Sequence, residues 1–110
     1  MKITEYLTAR GVSPFAKWYK KLSVSHQIKV DARLQRLKVA DVFGDKKSIG
    51  QGVYELRFMI RSGLRIYFAK DGNEIVLLLM AGNKSTQNRD IEKAKENWKD
   101  YKQRGKSHGK

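Results

Sequence analysis

The sequence predicts an α+β domain with the order β-α-α-β-β-β-α, a small antiparallel meander packed by an αα-hairpin and a closing helix. Three observations predict it. Aromatic and aliphatic residues recur at helical spacing between Ser13 and Ala40. Three runs between Val53 and Gly82 then alternate at period two, separated by glycine-bearing turns, and helical spacing returns after Thr86. At 110 residues, one core is the natural count. Residues 1–104 form the expected domain, and 105–110, GKSHGK, read as a mobile basic tail with little to bury.

Ile3 to Ala9 reads as an edge strand ended by Gly11. Ser13-Pro14 then has the form of an N-cap followed by a first helical residue, and Phe15, Trp18, Tyr19 and Leu22 make an inward aromatic stripe. After a break at Ser23–Ser25, His26 to Ala40 turns Val30, Leu34 and Leu37 inward, with Lys29, Arg33, Arg36 and Lys38 largely outward. Val42 to Gln51 carries Gly44, Gly50 and the Lys46-Lys47 pair, and is expected to be a loop. The last helix shows Ile91, Ala94, Trp98 and Tyr101 on one stripe.

The three runs carry the chemistry. From Val53 to Ile60 the set Tyr54, Leu56, Phe58 and Ile60 alternates with Glu55, Arg57 and Met59; next, Leu64, Ile66 and Phe68 alternate with Arg65, Tyr67 and Ala69. A slip of one residue would bury the charged set, so the apolar sets share a face. A register centred on Ser62 sets Arg57 across from Tyr67 and Arg65 opposite Met59, while Asp71-Gly72 signals a two-residue hairpin that puts Val76, Leu78 and Met80 on the Arg65/Tyr67 side. Lys84 follows at the strand end. Arg57, Arg65, Tyr67 and Lys84 thus form a set suited to a phosphate chain, although any half-exposed strand also alternates charge in this way.

Charge narrows the partner. Lys and Arg number 24 against 11 Asp and Glu, a formal charge of +13, which favours nucleic acid over an acidic protein or a mere solubility device. Lys46, Lys47, Arg61 and Gln87 are further candidates for RNA contact. Cysteine is absent and His26 and His108 are the only histidines, so disulfides, thiolate metal sites and two-histidine nuclease chemistry are not expected, nor is any cofactor. Ile75 to Ala81 is too short to span a bilayer and the N-terminus lacks a signal-peptide core, which predicts a cytoplasmic protein without membrane contact.

RNA cleavage through the 2′-OH needs that oxygen deprotonated, the phosphorane charge stabilised and the 5′-oxygen protonated as it leaves. Arg57 and Arg65 suit the middle task, because guanidinium stays charged and grips phosphate oxygens bidentately. Lys84 suits backbone positioning. Tyr67 suits base stacking or proton donation, and Glu55 is either a general base or, the favoured reading, the ion-pair partner of an arginine.

The helical hairpin with its aromatic stripe, then FGDKKSIGQGVYELRF, GLRIYF and LLLMAGNKSTQNRDIEKAK, together resemble the HigB-like, phage-derived branch of the RelE/ParE toxin superfamily. The resemblance spans roughly Phe15 to Lys95. It implies a type II toxin that enters the ribosomal A site, cleaves mRNA during translation and is held inactive by a helix-turn-helix antitoxin from the adjacent gene. Arg65, Arg57 and Lys84 carry over residue by residue. The chain departs from the best-studied members at Glu55, where they carry lysine, and around Asp90, where they carry tyrosine. The superfamily also contains ParE proteins that poison DNA gyrase without cutting RNA, so a non-enzymatic toxin stays open, as does a basic nucleic-acid-binding protein.

Overall fold

A computed structural model describes residues 1–108. In chain order the elements are β1 Lys2–Glu5, α1 Pro14–Lys20, α2 Val24–Ala40, β2 Lys46–Gly50, β3 Val53–Arg57, β4 Arg65–Asp71 and β5 Ile75–Gly82. A 3₁₀ turn, Lys84–Thr86, leads into α3, Gln87–His108. The sheet runs β1-β5-β4-β3-β2, with β1 parallel to β5 and every other pair antiparallel. The α+β class holds, with a five-stranded mixed sheet in place of a purely antiparallel meander.

Local chemistry sets the helix starts. Ser13 Oγ accepts from the Ala16 amide at 3.0 Å with Pro14 in the first turn, and Ser23 Oγ accepts from the His26 amide at 3.1 Å. That second cap begins α2 at Val24, two residues before the expected His26. At the other end α3 continues through Gly105 to His108, so the expected start of a tail at 105 falls inside the helix; residues 109 and 110 of that tail lie outside the described residues.

The segment expected to be a loop, Val42 to Gln51, contains β2. Lys46, Lys47 and Ser48 pair with Leu56, Glu55 and Tyr54, and the register shifts between Ser48 and Gly50. Its charged, bulged character is what a protected sheet edge requires, and it is also what hides a strand from a hydrophobic-period reading. β1 is shorter than expected, ending at Glu5; the Tyr6 amide still donates to the Leu78 carbonyl at 2.9 Å, after which a tight turn at Thr8–Val12 carries the chain away.

Both registers differ from expectation, and the expected parity is kept between β3 and β4 but reversed between β4 and β5. β3 stops at Arg57 and the connection 58–64 is longer than a three-residue turn, with Gly63 N–H donating to Ile60 O at 2.9 Å. Arg57 therefore pairs with Arg65, and Glu55 with Tyr67. In the next hairpin Asp71 pairs with Ile75, so the loop holds three residues and the face reverses: Leu77 and Leu79, not Val76 and Leu78, join Tyr67. A bulge near Leu79 restores Met80 to the Tyr67 side.

These parities build two cores. Against α1 and α2 lie Leu56, Phe58, Ile66, Phe68, Val76 and Leu78, with Phe15, Val30 and Leu37 from the helices. Phe68 stacks against both Phe43 and Tyr54, at centroid distances of 5.2 and 5.4 Å. Against α3 lie Val53, Tyr67, Ala69, Leu77 and Leu79, with Ala94 buried and Ile91, Trp98 and Tyr101 packed around them. The face expected to be solvated is thus covered by a helix, which carries Glu55 and Tyr67 into the interior.

Candidate RNA-binding cleft

β3, β4 and β5 finish together, because Arg57 pairs with Arg65 and Arg65 with Gly82. The connection 58–64 folds back over this end. At Gly63, with φ +68, a Cβ would lie 2.8 Å from Arg65 Nη1 and 2.9 Å from Lys84 Cβ, so only glycine lets the loop approach this closely. Arg65 Nη1 donates to Gly63 O at 2.7 Å, and the Lys84 amide to Ser62 O at 3.3 Å. The result is an open cleft of about 520 Å³ whose lining includes Arg57, Arg61, Arg65 and Lys84, with Asp45 the acidic member.

Beneath the cleft sits a buried polar cluster. Glu55 is 1 % exposed; its Oε2 accepts from Gln87 Nε2 at 2.8 Å and lies 3.4 Å from Arg65 Nε. Arg65 keeps 14 % of its side-chain surface, so one edge of the guanidinium is anchored while the group still borders the cleft. Tyr67 is fully buried across from Glu55, and burial followed by the Glu55 charge pushes its phenol pKa well up. It stays protonated, but its ring is not open to stack on a base. Glu55 takes the ion-pair geometry, not that of an exposed base.

Arg57 is held from the other side. Its Nη2 reaches Asp45 Oδ1 at 3.0 Å, and its carbonyl accepts from Arg33 Nη1 at 2.7 Å. Arg33, expected outward, instead donates to Phe43 O and Asp45 O and stacks 4.7 Å over Phe58; burial lowers its pKa. It is the clamp that binds α2 to the strand end.

The other sequence candidates divide. Arg61 lines the cleft. Lys46 places its ammonium 4.1 Å over the Phe43 ring, on the α1/α2 side, and Lys47 sits on the outer strand opposite Glu55; neither borders the cleft. Gln87 fixes Glu55. Sequence reasoning missed Asp45, Gly63 and the 90 % exposed Met59 on the loop beside the arginines.

It named Asp90 only as a departure from the family pattern and gave it no role. That side chain is 1 % exposed, accepts a short hydrogen bond from Thr86 Oγ1, and occupies the space beside Gly82, where a Cβ would lie 1.8 Å from Oδ2. Asn83 caps the same turn, its Oδ1 accepting from the Ser85 amide at 2.9 Å. Together they fix the start of α3, and so Lys84, against the end of β5. The signal available in the sequence was the Asn83-to-Thr86 capping pattern after Gly82.

Chemically the cleft can hold a phosphodiester chain and stabilise negative charge on it; its carboxylate, Asp45, is already paired. No group of three or more His, Cys, Asp or Glu able to hold a metal exists among the described residues, and no described helix is long and apolar enough to cross a membrane.

Residues 17–99 match the family described as phage-derived protein Gp49-like (DUF891). The chain is also similar to an uncharacterized protein of Haemophilus influenzae, 40 % identical over 82 residues that cover 74 % of this chain and 82 % of that one. The match runs from within α1 through α2, the whole β2–β5 meander and most of α3, and the chain belongs to the Gp49-like phage-derived family, a family associated with toxin–antitoxin modules.

Proposed function

We propose that this chain is the toxin of a type II toxin–antitoxin module and cleaves mRNA on the ribosome. The observation that carries the reading is the convergence of Arg57, Arg61, Arg65 and Lys84 on one open cleft, with Arg65 oriented by a buried carboxylate. The Gp49-like membership and the charge of +13 support it.

In this mechanism the 2′-oxygen attacks the adjacent phosphorus, a new O2′–P bond forms, and the P–O5′ bond breaks to leave a 2′,3′-cyclic phosphate and a 5′-hydroxyl. Arg65 faces the non-bridging oxygens and stabilises the phosphorane, with one edge already held by Glu55 and Gly63 O so that little reorganisation is needed. Arg57 and Arg61 grip flanking phosphates, and Lys84 positions the backbone on the leaving side. No unpaired base lines the cleft among the described residues. In-line geometry, removal of the 2′ proton and delivery of a proton to the departing 5′-oxygen therefore come from the ribosome and the RNA, which makes free RNA a poor substrate.

A second reading rests on a specific observation. Because Glu55 and Tyr67 are buried, the cleft offers charge without acid–base groups, and the exposed Met59 beside it suits a protein contact. That is the surface of a non-enzymatic toxin, with DNA gyrase the leading target. A reconstituted translation reaction with primer extension, set beside a gyrase supercoiling assay, separates the two. Cuts within translated mRNA and normal supercoiling support the nuclease. Loss of supercoiling with intact mRNA overturns it.

Control follows from charge. The partner is the helix-turn-helix antitoxin from the adjacent gene, steered to this basic surface at a rate that falls with salt. Co-expression is expected to abolish growth inhibition through a nanomolar complex. Growth inhibition that persists despite co-expression contradicts that pairing.

A further inference from the structure

The loop between β3 and β4 borders two concave surfaces. One is the arginine cleft. The other, against α2, is a groove of about 410 Å³ whose basic lining includes Arg33, Arg57 and the exposed Lys29 and Arg36. The two surfaces share Arg57, Phe58, Met59 and Ile60, so they meet along the loop itself. Asp45 is the acidic residue common to both, and its carboxylate is already paired with Arg57 at 3.0 Å.

The ridge where they meet carries an apolar side chain into solvent. Met59 is 90 % exposed, whereas its neighbours turn inward: Phe58 is buried beneath the Arg33 guanidinium and Ile60 packs on the core. The backbone on both sides of Met59 is pinned. Phe58 N–H donates to Leu64 O at 3.1 Å, Ile60 N–H to Phe58 O at 2.9 Å and Gly63 N–H to Ile60 O at 2.9 Å. Met59 therefore stands out from a hydrogen-bonded turn. An RNA strand needs more than arginines, because its backbone is charged but its bases are flat and largely apolar. Among the described residues lining the two grooves, the one aromatic ring, Phe58, is closed to a base, and Met59 is the most open apolar surface.

We propose that Met59 is a wedge that enters between two successive bases of single-stranded RNA. The inference rests on the nuclease reading and adds to it the residue that opens the step to be cut. One base lies against the thioether on the cleft side and the next on the α2 side, where Lys29 and Arg36 take the phosphate that follows. In stacked, helical RNA the 2′-oxygen sits off the line of the P–O5′ bond, so attack requires neighbouring bases to be splayed. An apolar side chain inserted at a base step supplies that opening, and a flexible, polarisable thioether fits many base neighbours. Met59 thus opens the step, and the ribosome fixes the opened strand in line. Such a wedge reads no base edge. It favours purines over pyrimidines by contact area alone.

The test uses the full chain at low salt and an RNA hexanucleotide of 2-aminopurine, 2′-O-methylated so that it cannot be cut. Stacking quenches 2-aminopurine, so unstacking is read as a rise in fluorescence. Wild type is expected to bind and to raise the signal about twofold or more. Met59→Ala is expected to bind within about threefold of wild type, because phosphate contacts dominate affinity, but to lose most of the rise. Met59→Leu is expected to keep the rise, and Met59→Lys to bind more tightly without it. At a position 90 % exposed, none of these changes is expected to move the melting temperature. On programmed ribosomes Met59→Ala is expected to slow cleavage about tenfold, with recovery in Met59→Leu. No binding by wild type, binding without a rise, a rise retained in Met59→Ala, or wild-type cleavage by Met59→Ala would each overturn the wedge. The fluorescence needs neither ribosome nor cleavage. Bound RNA that stays stacked therefore overturns the wedge alone, and absence of cleavage by wild type overturns the nuclease reading.

Discussion

The two faces of the sheet are built from different chemistry. On the α1/α2 face the buried side chains are all apolar, from Leu56 and Phe68 to Val30 and Leu37. On the α3 face Glu55, Asp90 and Asn97 are buried among the apolar residues, and Tyr67 carries its hydroxyl inside with them. Each of the three polar residues fixes something specific. Glu55 holds Arg65, Asp90 seats the start of α3 against Gly82, and Asn97 donates to the bulged Leu79 carbonyl at 2.9 Å. The first face supplies cohesion, and the second spends part of its stability on orientation.

Breaking the apolar face is expected to have the largest effect on stability and none on function per folded molecule. Phe68→Ala removes a ring stacked against both Phe43 and Tyr54, and a loss of about 3–5 kcal/mol in urea unfolding is expected. Toxicity per folded molecule stays unchanged, as measured by titrating soluble protein against translation.

Breaking the polar face couples the two properties. Glu55→Ala leaves Gln87 without its acceptor and Arg65 without its ion-pair partner and is expected to cost about 2–3 kcal/mol, in the same range as an apolar deletion. Here activity falls beyond what the unfolded fraction explains, because Arg65 loses its anchor. A stability loss with full activity per folded molecule would show that Glu55 is only structural.

Gly82→Ala sharpens the comparison without removing a charge. A Cβ there meets Asp90 Oδ2 at 1.8 Å, so the start of α3 must shift, at an expected cost of about 1–3 kcal/mol. Amide shifts centred on Lys84 and the 3₁₀ turn would locate the displacement.

The smallest effect is at the hairpin end. Tyr101 donates to Asp71 Oδ2 at 2.6 Å, and that bond, with burial, holds its pKa up to about 12. The folded value lies above the unfolded one near 10, so its contribution is complete below about pH 10 and disappears as pH rises toward 12. Tyr101→Phe is expected to change neutral stability by under about 1 kcal/mol and to lessen the fall in melting temperature between those pH values.

Much of this was legible in the sequence, because period-two alternation fixes which residues of one strand share a face whatever the register. Tyr54, Leu56 and Phe58 do lie with Ile66 and Phe68. Registers depend on loop lengths, and glycine marks a turn without counting its residues: the segment around Gly63 is longer than its sequence suggests, and the Gly72 turn holds three residues, which reversed the face of Val76 and Leu78. β2 was hidden because its lysines protect an edge. The depth of Glu55 and Tyr67 could not be read from the strands at all, since it is set by α3, which begins only at Gln87. Arg57, Arg61, Arg65 and Lys84 were all named from sequence, whereas the roles of Asp45 and Asp90, which place two of their neighbours, show themselves only once the chain is folded.

The central claim is that Arg65 stabilises charge on a phosphate being cleaved. It is tested most directly by cleavage kinetics of wild type and Arg65→Ala on programmed ribosomes, with urea unfolding of both proteins alongside. Removal of one transition-state donor predicts a loss of about 10²-fold or more, with partial recovery in Arg65→Lys and a cooperative unfolding transition retained. Wild-type cleavage by folded Arg65→Ala would contradict the account.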